Sequence, residues 1–365
     1  MNPPSTDGMP RRLVIGYGLP GLVTAVPVIP IAILLPTYYA QDLGLGFTIT
    51  GLALGLARIL DFFTDILVGI GIDRLVWPWR KAKHLKFKPW IAVGAIIAAL
   101  GLCALATPVT FDSDWLGGLY LGLFSCVLFL GWTLMMVPYT AWGALLATTL
   151  HGRSSLTIAR EAFGLTGMLL ALSAPLVLLD TDLNPIALVA YLSIGLGVPI
   201  IIYTLKSVPD ASAGEPERHA QTVNFRDVRA LLAYAPFRFT IVCWFLNSLA
   251  NGLPAVLFPI VVQQYLGFDE KSLFALLFLY FGAGVLAAPL WLALAKKLGK
   301  MAAWQSAILL NIIVFSSVLL LEPKSSGFFS PQLFYWICTL SGMSLAADMA
   351  LPASIQADVM EADRT

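Results

Sequence analysis

The sequence predicts an all-α polytopic membrane protein, and three observations carry that reading. Hydrophobic residues make up 58% of the chain and charged residues only 12%, where soluble domains carry roughly 25% charge. Mean hydropathy is +0.83. Polar punctuation cuts the chain into about ten runs of roughly 20 or more mostly apolar residues, each long enough to cross ~30 Å of hydrocarbon as a helix. The runs are continuous rather than alternating, which sets aside a transmembrane barrel.

In order, the first run covers residues 12–39, begins after Arg11 and Arg12 and gives way near Leu43-Gly44. The second, 46–72, leads into the basic stretch from Asp73 and Arg74 to Lys88, and the third is 90–110. Asp112 and Asp114 precede the fourth, 116–149; the fifth, 158–179, ends at Asp180 and Asp182; the sixth is 186–206. A polar, aromatic-poor linker follows, with Phe225 to Tyr234 readable as a short surface helix. The seventh run, 238–265, stops at Leu266-Gly267; the eighth, 271–295, lies between Asp269-Glu270 and Lys296, Lys297 and Lys300. The ninth and tenth are 301–321 and 331–356. This gives an N-terminal six-helix bundle at 1–206, a linker at 207–237 and a C-terminal bundle at 238–365 with four helices.

Basic loops mark the cytoplasmic side. The loop with Arg74, Arg80, Lys81, Lys83, Lys86 and Lys88 and the loop with Lys296, Lys297 and Lys300 are therefore cytoplasmic, as is the N-terminus beside Arg11 and Arg12. The opposite loops hold aspartates and few basic residues. Pro3 to Arg12 lacks a small-residue cleavage pattern, so a multi-pass cell-membrane protein is expected without a cleavable signal. The net charge of +1 gives no reason to expect nucleic acid. Cys103, Cys126, Cys243 and Cys338 are scattered singly and read as packing residues, and the three histidines form no cluster with acids. Neither a metal site nor a nucleophile constellation is visible, so an enzyme is not expected.

Arg58, Asp61 and Asp65 interrupt the second run. A charge near the bilayer centre costs on the order of 2.5–3.5 kcal/mol and persists where it meets a partner, a cavity or an ion. At about 100° per residue the three positions fall within roughly 60° of arc, on one helical face. One arginine neutralises one carboxylate, so the alternative of a purely structural ion pair leaves Asp65 over, and a cation is the economical partner. Asp348 in the tenth run is a second intramembrane acid, and Asn247 and Asn251 stand at i and i+4 in the seventh. These three read either as a solute-facing polar lining or as interhelical hydrogen bonds.

The chain also repeats itself. Pro36 precedes Leu43-Gly44 by the spacing at which Pro259 precedes Leu266-Gly267, an offset of 223 residues (259 minus 36). The same offset carries Asp73 and Arg74 onto Lys296 and Lys297, implying parallel halves. It carries Asp61 and Asp65 onto Gly284 and Ala288, so the acidic face exists in one half only. A six-helix repeat would leave the second half two helices short, and the chain reads as a truncated form of a twelve-helix protein.

Tyr17-Gly18, the octapeptide from Arg58 to Asp65, the hexapeptide Lys86-Phe-Lys-Pro-Trp-Ile91 after His84 and Leu85, the stretch Val137 to Leu145 and Ser354 to Val359 together resemble the glycoside-pentoside-hexuronide:cation symporters, the melibiose-permease branch of the major facilitator superfamily. The resemblance spans essentially the whole chain and implies the major facilitator fold and alternating access. It implies that Asp61 and Asp65 bind the coupling cation, that Thr133 adds an oxygen, and that Arg160 contacts the solute. It makes Asp73 and Arg74 a conformational latch, while Arg58 reads from its spacing as a structural charge beside Asp61. The sequence departs from the pattern where Met136 replaces a helix-IV carboxylate, Ala25 a helix-I aspartate, and Thr140 a helix-IV tryptophan, with Trp142 two residues on.

The expectation is therefore cation-coupled symport, by H⁺ or Na⁺ and with no other cofactor, of a small polar solute such as a sugar or glycoside. Thr140, Trp142, Arg160, Asn247, Asn251 and Asp348 are the candidate solute residues. Two alternatives stay open: transport of an amphipathic lipid or lysolipid on the same fold, to which Met135, Met136 and Trp142 are suited, and a non-transporting membrane sensor or partner-binding protein.

Overall fold

In the computed structural model, residues 10–74, 86–146, 150–178, 184–210, 235–321 and 331–362 are described; among them every regular element is helical. Contacts group the chain into two units, Met1–Glu217 and Arg218–Thr365. Seven stretches of the described residues are long and apolar enough to cross a membrane.

In the first unit the opening run departs from the single span expected. It is built from α1 (Arg11–Gly18), α2 (Pro20–Ala25), a π turn at Pro30–Leu34, the single turn α3 (Leu35–Thr37) and a second π turn at Tyr38–Asp42. Pro20, Pro27, Pro30 and Pro36 explain the breaks, because each removes an N–H and crowds the preceding turn. The remaining helices are α4 (Gly46–Arg74), α5 (Lys88–Ala106), α6 (Asp114–Leu146), α7 (Leu150–Leu178) and α8 (Pro185–Ser207). Asn184 caps α8 by accepting from the Ile186 amide at 2.9 Å, with Pro185 at the first helical position.

Small residues set the helix spacing. A Cβ at Gly131 of α6 would stand 2.2 Å from the Ala98 nitrogen of α5, and one at Gly167 of α7 would stand 2.1 Å from the Leu22 carbonyl of α2. Backbones that close exclude any larger residue. α4 packs on α6 along a stripe of Ala53, Ala57, Asp61, Thr64, Val68 and Ile72, spaced by four or three residues. Asp61 thus occupies a position in the face that α4 turns to α6.

Below that stripe, Val68, Ile72, Phe87, Ile91, Trp142 and Val208 join one buried cluster with Tyr17 and Tyr139. The residues after α8 belong to it. Val208 is fully buried, the Pro209 carbonyl accepts the Trp142 indole N–H at 3.0 Å, and the Asp210 carboxylate accepts the Phe87 and Lys88 amides at 3.4 Å each. Asp210 supplies the α5 N-terminus with acceptors that the Phe87 side chain at its N-cap does not provide.

The second unit comprises α9 (Ala235–Ile260), a π turn at Val261–Tyr265, α10 (Glu270–Leu298), α11 (Lys300–Ser316) and α12 (Pro331–Ala362). The repeat is written into its backbone. The π turns at Tyr38–Asp42 and Val261–Tyr265 are 223 residues apart (261 minus 38). The bond from the Leu43 amide to Tyr38 reappears from Leu266 to Val261, and that from Leu45 to Tyr39 reappears from Phe268 to Val262. Gly44 and Gly267 follow with φ of 75° and 65°, a region open to glycine.

α10 packs on α12 where α4 packs on α6, and here the equivalents of the two aspartates are small. A Cβ at Gly284 would lie 3.0 Å from the Gly342 carbonyl, and one at Gly342 would lie 2.1 Å from the Tyr280 carbonyl. Backbone contact fills the space that the first unit gives to carboxylates. The one-sided distribution of the acids therefore has a packing counterpart.

Candidate functional site

The acidic face of α4 and the middle of α6 meet at Thr133. Its Oγ1 lies 3.2 Å from Asp61 Oδ1 and 2.7 Å from Asp65 Oδ1, and the residue is buried. A threonine hydroxyl has one proton to donate, while ionised carboxylates only accept. The Thr133 hydroxyl thus has one proton for two carboxylates, and three oxygens converge at a point where a proton or a small cation could be shared. The sequence spacing placed 58, 61 and 65 on one face; the structure brings Thr133 to that face from α6.

Arg58 does not close the site. Its Nη1 is 3.5 Å from Asp61 Oδ2, a long contact, and its side chain is 60% exposed. The guanidinium lies 4.0 Å above the Phe129 ring, a cation–π geometry. Arg58 is thus shared between an aromatic face and one oxygen of Asp61, and Oδ1 of both aspartates is left to Thr133. The side chains of Asp73 and Arg74 fall outside the described residues, although α4 runs through both.

The candidate solute residues lie in several places. Arg160 bonds Glu161 Oε1 through Nη2 at 2.7 Å and Nε at 3.2 Å. Thr140 returns its hydroxyl to the Met136 and Val137 carbonyls, both at 3.0 Å, in the turn that Pro138 disrupts. Trp142 is fully buried, engaged with Pro209 and set edge-on to Tyr17. Met136 packs against the same cluster.

In the second unit Asn247, Asn251 and Asp348 do come together. Asp348 Oδ2 accepts from Asn247 Nδ2 at 3.2 Å and Asn251 Nδ2 at 2.7 Å, and Oδ1 accepts from Trp304 Nε1 at 2.8 Å. Trp304 and Phe129 escape sequence reasoning. A tryptophan four residues into α11 carries the signature of an interface anchor, and only the rotation of α11 against α12 reveals its partner. Tyr17 and Tyr139, whose rings stack at 4.7 Å, form a reciprocal pair: each hydroxyl donates to the other's carbonyl, Tyr17 at 3.1 Å.

A helical membrane protein assembled from parallel repeats, with ionisable side chains turned toward a neighbouring helix in mid-span, has the architecture of secondary transporters. The chain belongs to the family described as MFS/sugar transport protein, whose profile matches residues 16–365. Among individual proteins of Escherichia coli K12 it is 30% identical over 131 residues to the glycoside/cation symporter YagG, covering 35% of this chain and 26% of that one. It is 28% identical over 176 residues to the inner membrane symporter YicJ, covering 47% and 37%. The matched stretches thus span well under half the length of these relatives. The fold is similar to that of the xylose transporter XylE from E. coli in a partially occluded inward-open conformation, with a TM-score of 0.60 and 13% identity over 95% of this chain and 87% of that one. A D-xylose-proton symporter gives a TM-score of 0.54 and 12% identity over 94% and 85%. At such identities the likeness establishes the major facilitator fold.

Proposed function

We propose that this protein is a cation-coupled symporter of a small polar solute, a sugar or glycoside, that works by alternating access in a cell membrane with its N-terminus in the cytoplasm. The observation that carries the reading is the sharing of one Thr133 hydroxyl by Asp61 and Asp65. Three oxygens converge there with one donatable proton, an arrangement completed by H⁺ or by a small hard cation. The proton is preferred over sodium, because position 136 lacks a carboxylate and one carboxyl proton is enough to satisfy the second contact. No other cofactor is needed, and the chemistry is binding and release rather than catalysis.

The name of YagG supports a glycoside as solute and a cation as the coupled ion, and that of YicJ supports symport. Arg160 and the polar cluster around Asp348 are the solute-facing groups in this reading, one in each unit. The test is uptake into proteoliposomes under separately imposed proton and sodium gradients, with a panel of glycosides. Concentrative uptake of at least one glycoside that collapses with the gradient is expected. Gradient-independent leakage, or uptake of lysolipids alone, would overturn the proposal.

A further inference from the structure

With Arg160 read as a solute-facing group, the ion pair it makes with Glu161 governs how free that group is. Both Nη2 at 2.7 Å and Nε at 3.2 Å reach the same oxygen, Oε1. Successive residues of a helix point about 100° apart and do not face each other, so the pair closes through the length of the two side chains rather than through the packing of one helix on another. It ties no two helices together, unlike Asp348, whose partners lie on α9 and α11.

The backbone beneath the pair is fixed. A Cβ at Gly21 of α2 would stand 2.3 Å from the Arg160 carbonyl, and one at Gly18 of α1 would stand 3.0 Å from the Ala159 Cβ and 2.9 Å from the Phe163 ring, so α7 cannot shift at this level. The side chains above it are open: that of Glu161 is 58% exposed and that of Arg160 24%. An exposed carboxylate within the apolar stretch Ser155–Ala174 belongs in a watered cavity, because hydrocarbon does not hold a bare charge. Glu161 Oε2 has no donor among the described residues, and the pair uses two of the five N–H groups that a guanidinium carries.

We infer that Glu161 is a placeholder for the solute: its carboxylate occupies the Arg160 guanidinium while no solute is bound, and solute hydroxyl oxygens displace it. A partly exposed pair is screened by water, and two N–H groups on one oxygen make a poorer contact than a fork-to-fork pair using both carboxylate oxygens. The contact compensates the arginine charge inside the membrane and still exchanges. Glu161 thereby holds the affinity below what an unoccupied Arg160 would give, which suits a carrier that must let its solute go.

The experiment is equilibrium binding to the full chain in nanodiscs, with nitrophenyl glucoside and nitrophenyl galactoside as probes. Replacing a charged acceptor on Arg160 by a neutral one in Glu161→Gln should tighten binding of at least one probe about three- to ten-fold. Glu161→Ala should do the same and serves if the first variant does not fold. Arg160→Gln leaves nothing to compete for, so adding Glu161→Gln to it should change binding by under about two-fold, or recover none if none is left. Unchanged or weaker binding in the Glu161 variants would overturn the inference, weaker binding marking Glu161 as a direct solute contact and a lower ligand-free thermal midpoint without tighter binding marking the pair as structural. A gain of the same size in the Arg160→Gln background would overturn it as well. If the parent binds neither sugar, the sugar reading itself falls and the placeholder with it; if the parent binds and the Glu161 variants bind no tighter, only the placeholder falls.

Discussion

At Thr133 one hydroxyl serves two carboxylates, and the consequences can be tested one side chain at a time. Asp61→Asn or Asp65→Asn should abolish gradient-driven accumulation while leaving membrane insertion and thermal stability near those of the parent, since neither acid closes a buried ion pair. Loss of folded protein would show that they hold the bundle together instead. Thr133→Ala removes a hydrogen bond to a charged group, worth about 1.5–3 kcal/mol, so the gradient needed for half-maximal uptake should rise roughly ten-fold or more. Met136 stands three residues from Thr133 on α6, close to the same face. Met136→Asp should add sodium stimulation; an unchanged cation preference would place position 136 away from the ion. The aspartates were legible in the sequence because charge inside an apolar run is conspicuous. Thr133 was legible only through resemblance, and Phe129 and Trp304 were not, because an aromatic in a membrane helix is ordinary until a neighbour's rotation is known.

Between elements, glycine carbonyl contacts decide how closely helices approach. Gly342→Leu should disrupt the packing of α10 on α12, where a Cβ alone would meet the Tyr280 carbonyl at 2.1 Å; a fall in the midpoint of thermal unfolding in detergent would register it. Outside the membrane, Asp269 caps α10, accepting from the Ser272 amide at 3.3 Å and from its hydroxyl. That side-chain hydrogen bond holds the Asp269 carboxyl below its usual range. A carboxyl depressed in the folded state stabilises above its unfolded value of ~3.9 and loses that contribution as pH falls through the folded value. Asp269→Ala should therefore lower stability at pH 7 by about 0.5–2 kcal/mol, as cap removals do. The gap from the parent should narrow toward pH 3, and thermal scans at the two pH values check it. The helices of this unit followed from run length and flanking charge. The broken first span did not, since proline in membrane helices is tolerated and its outcome depends on which neighbours satisfy the freed groups.

Across the whole molecule, the repeat seen in a few sequence positions reappears as matched π turns with matched hydrogen bonds. A 223-residue offset is visible in sequence where proline and glycine mark it, whereas π geometry has no residue code of its own. The basic and acidic loops predict sidedness as well: in a background without native cysteines, single cysteines at Lys300 and Asp114 should react with an impermeant maleimide from opposite faces. Labelling from one face would overturn the topology.

The seating of Val208, Pro209 and Asp210 on the first unit has a further consequence. Val208 belongs to the buried cluster of the first unit, and Pro209 and Asp210 bond to Trp142 and to the start of α5, so a first fragment cut before residue 208 loses part of that packing. Expressed as a membrane fragment, the first unit should therefore keep a sharp thermal transition when it ends after Asp210 and lose it when it ends before Val208.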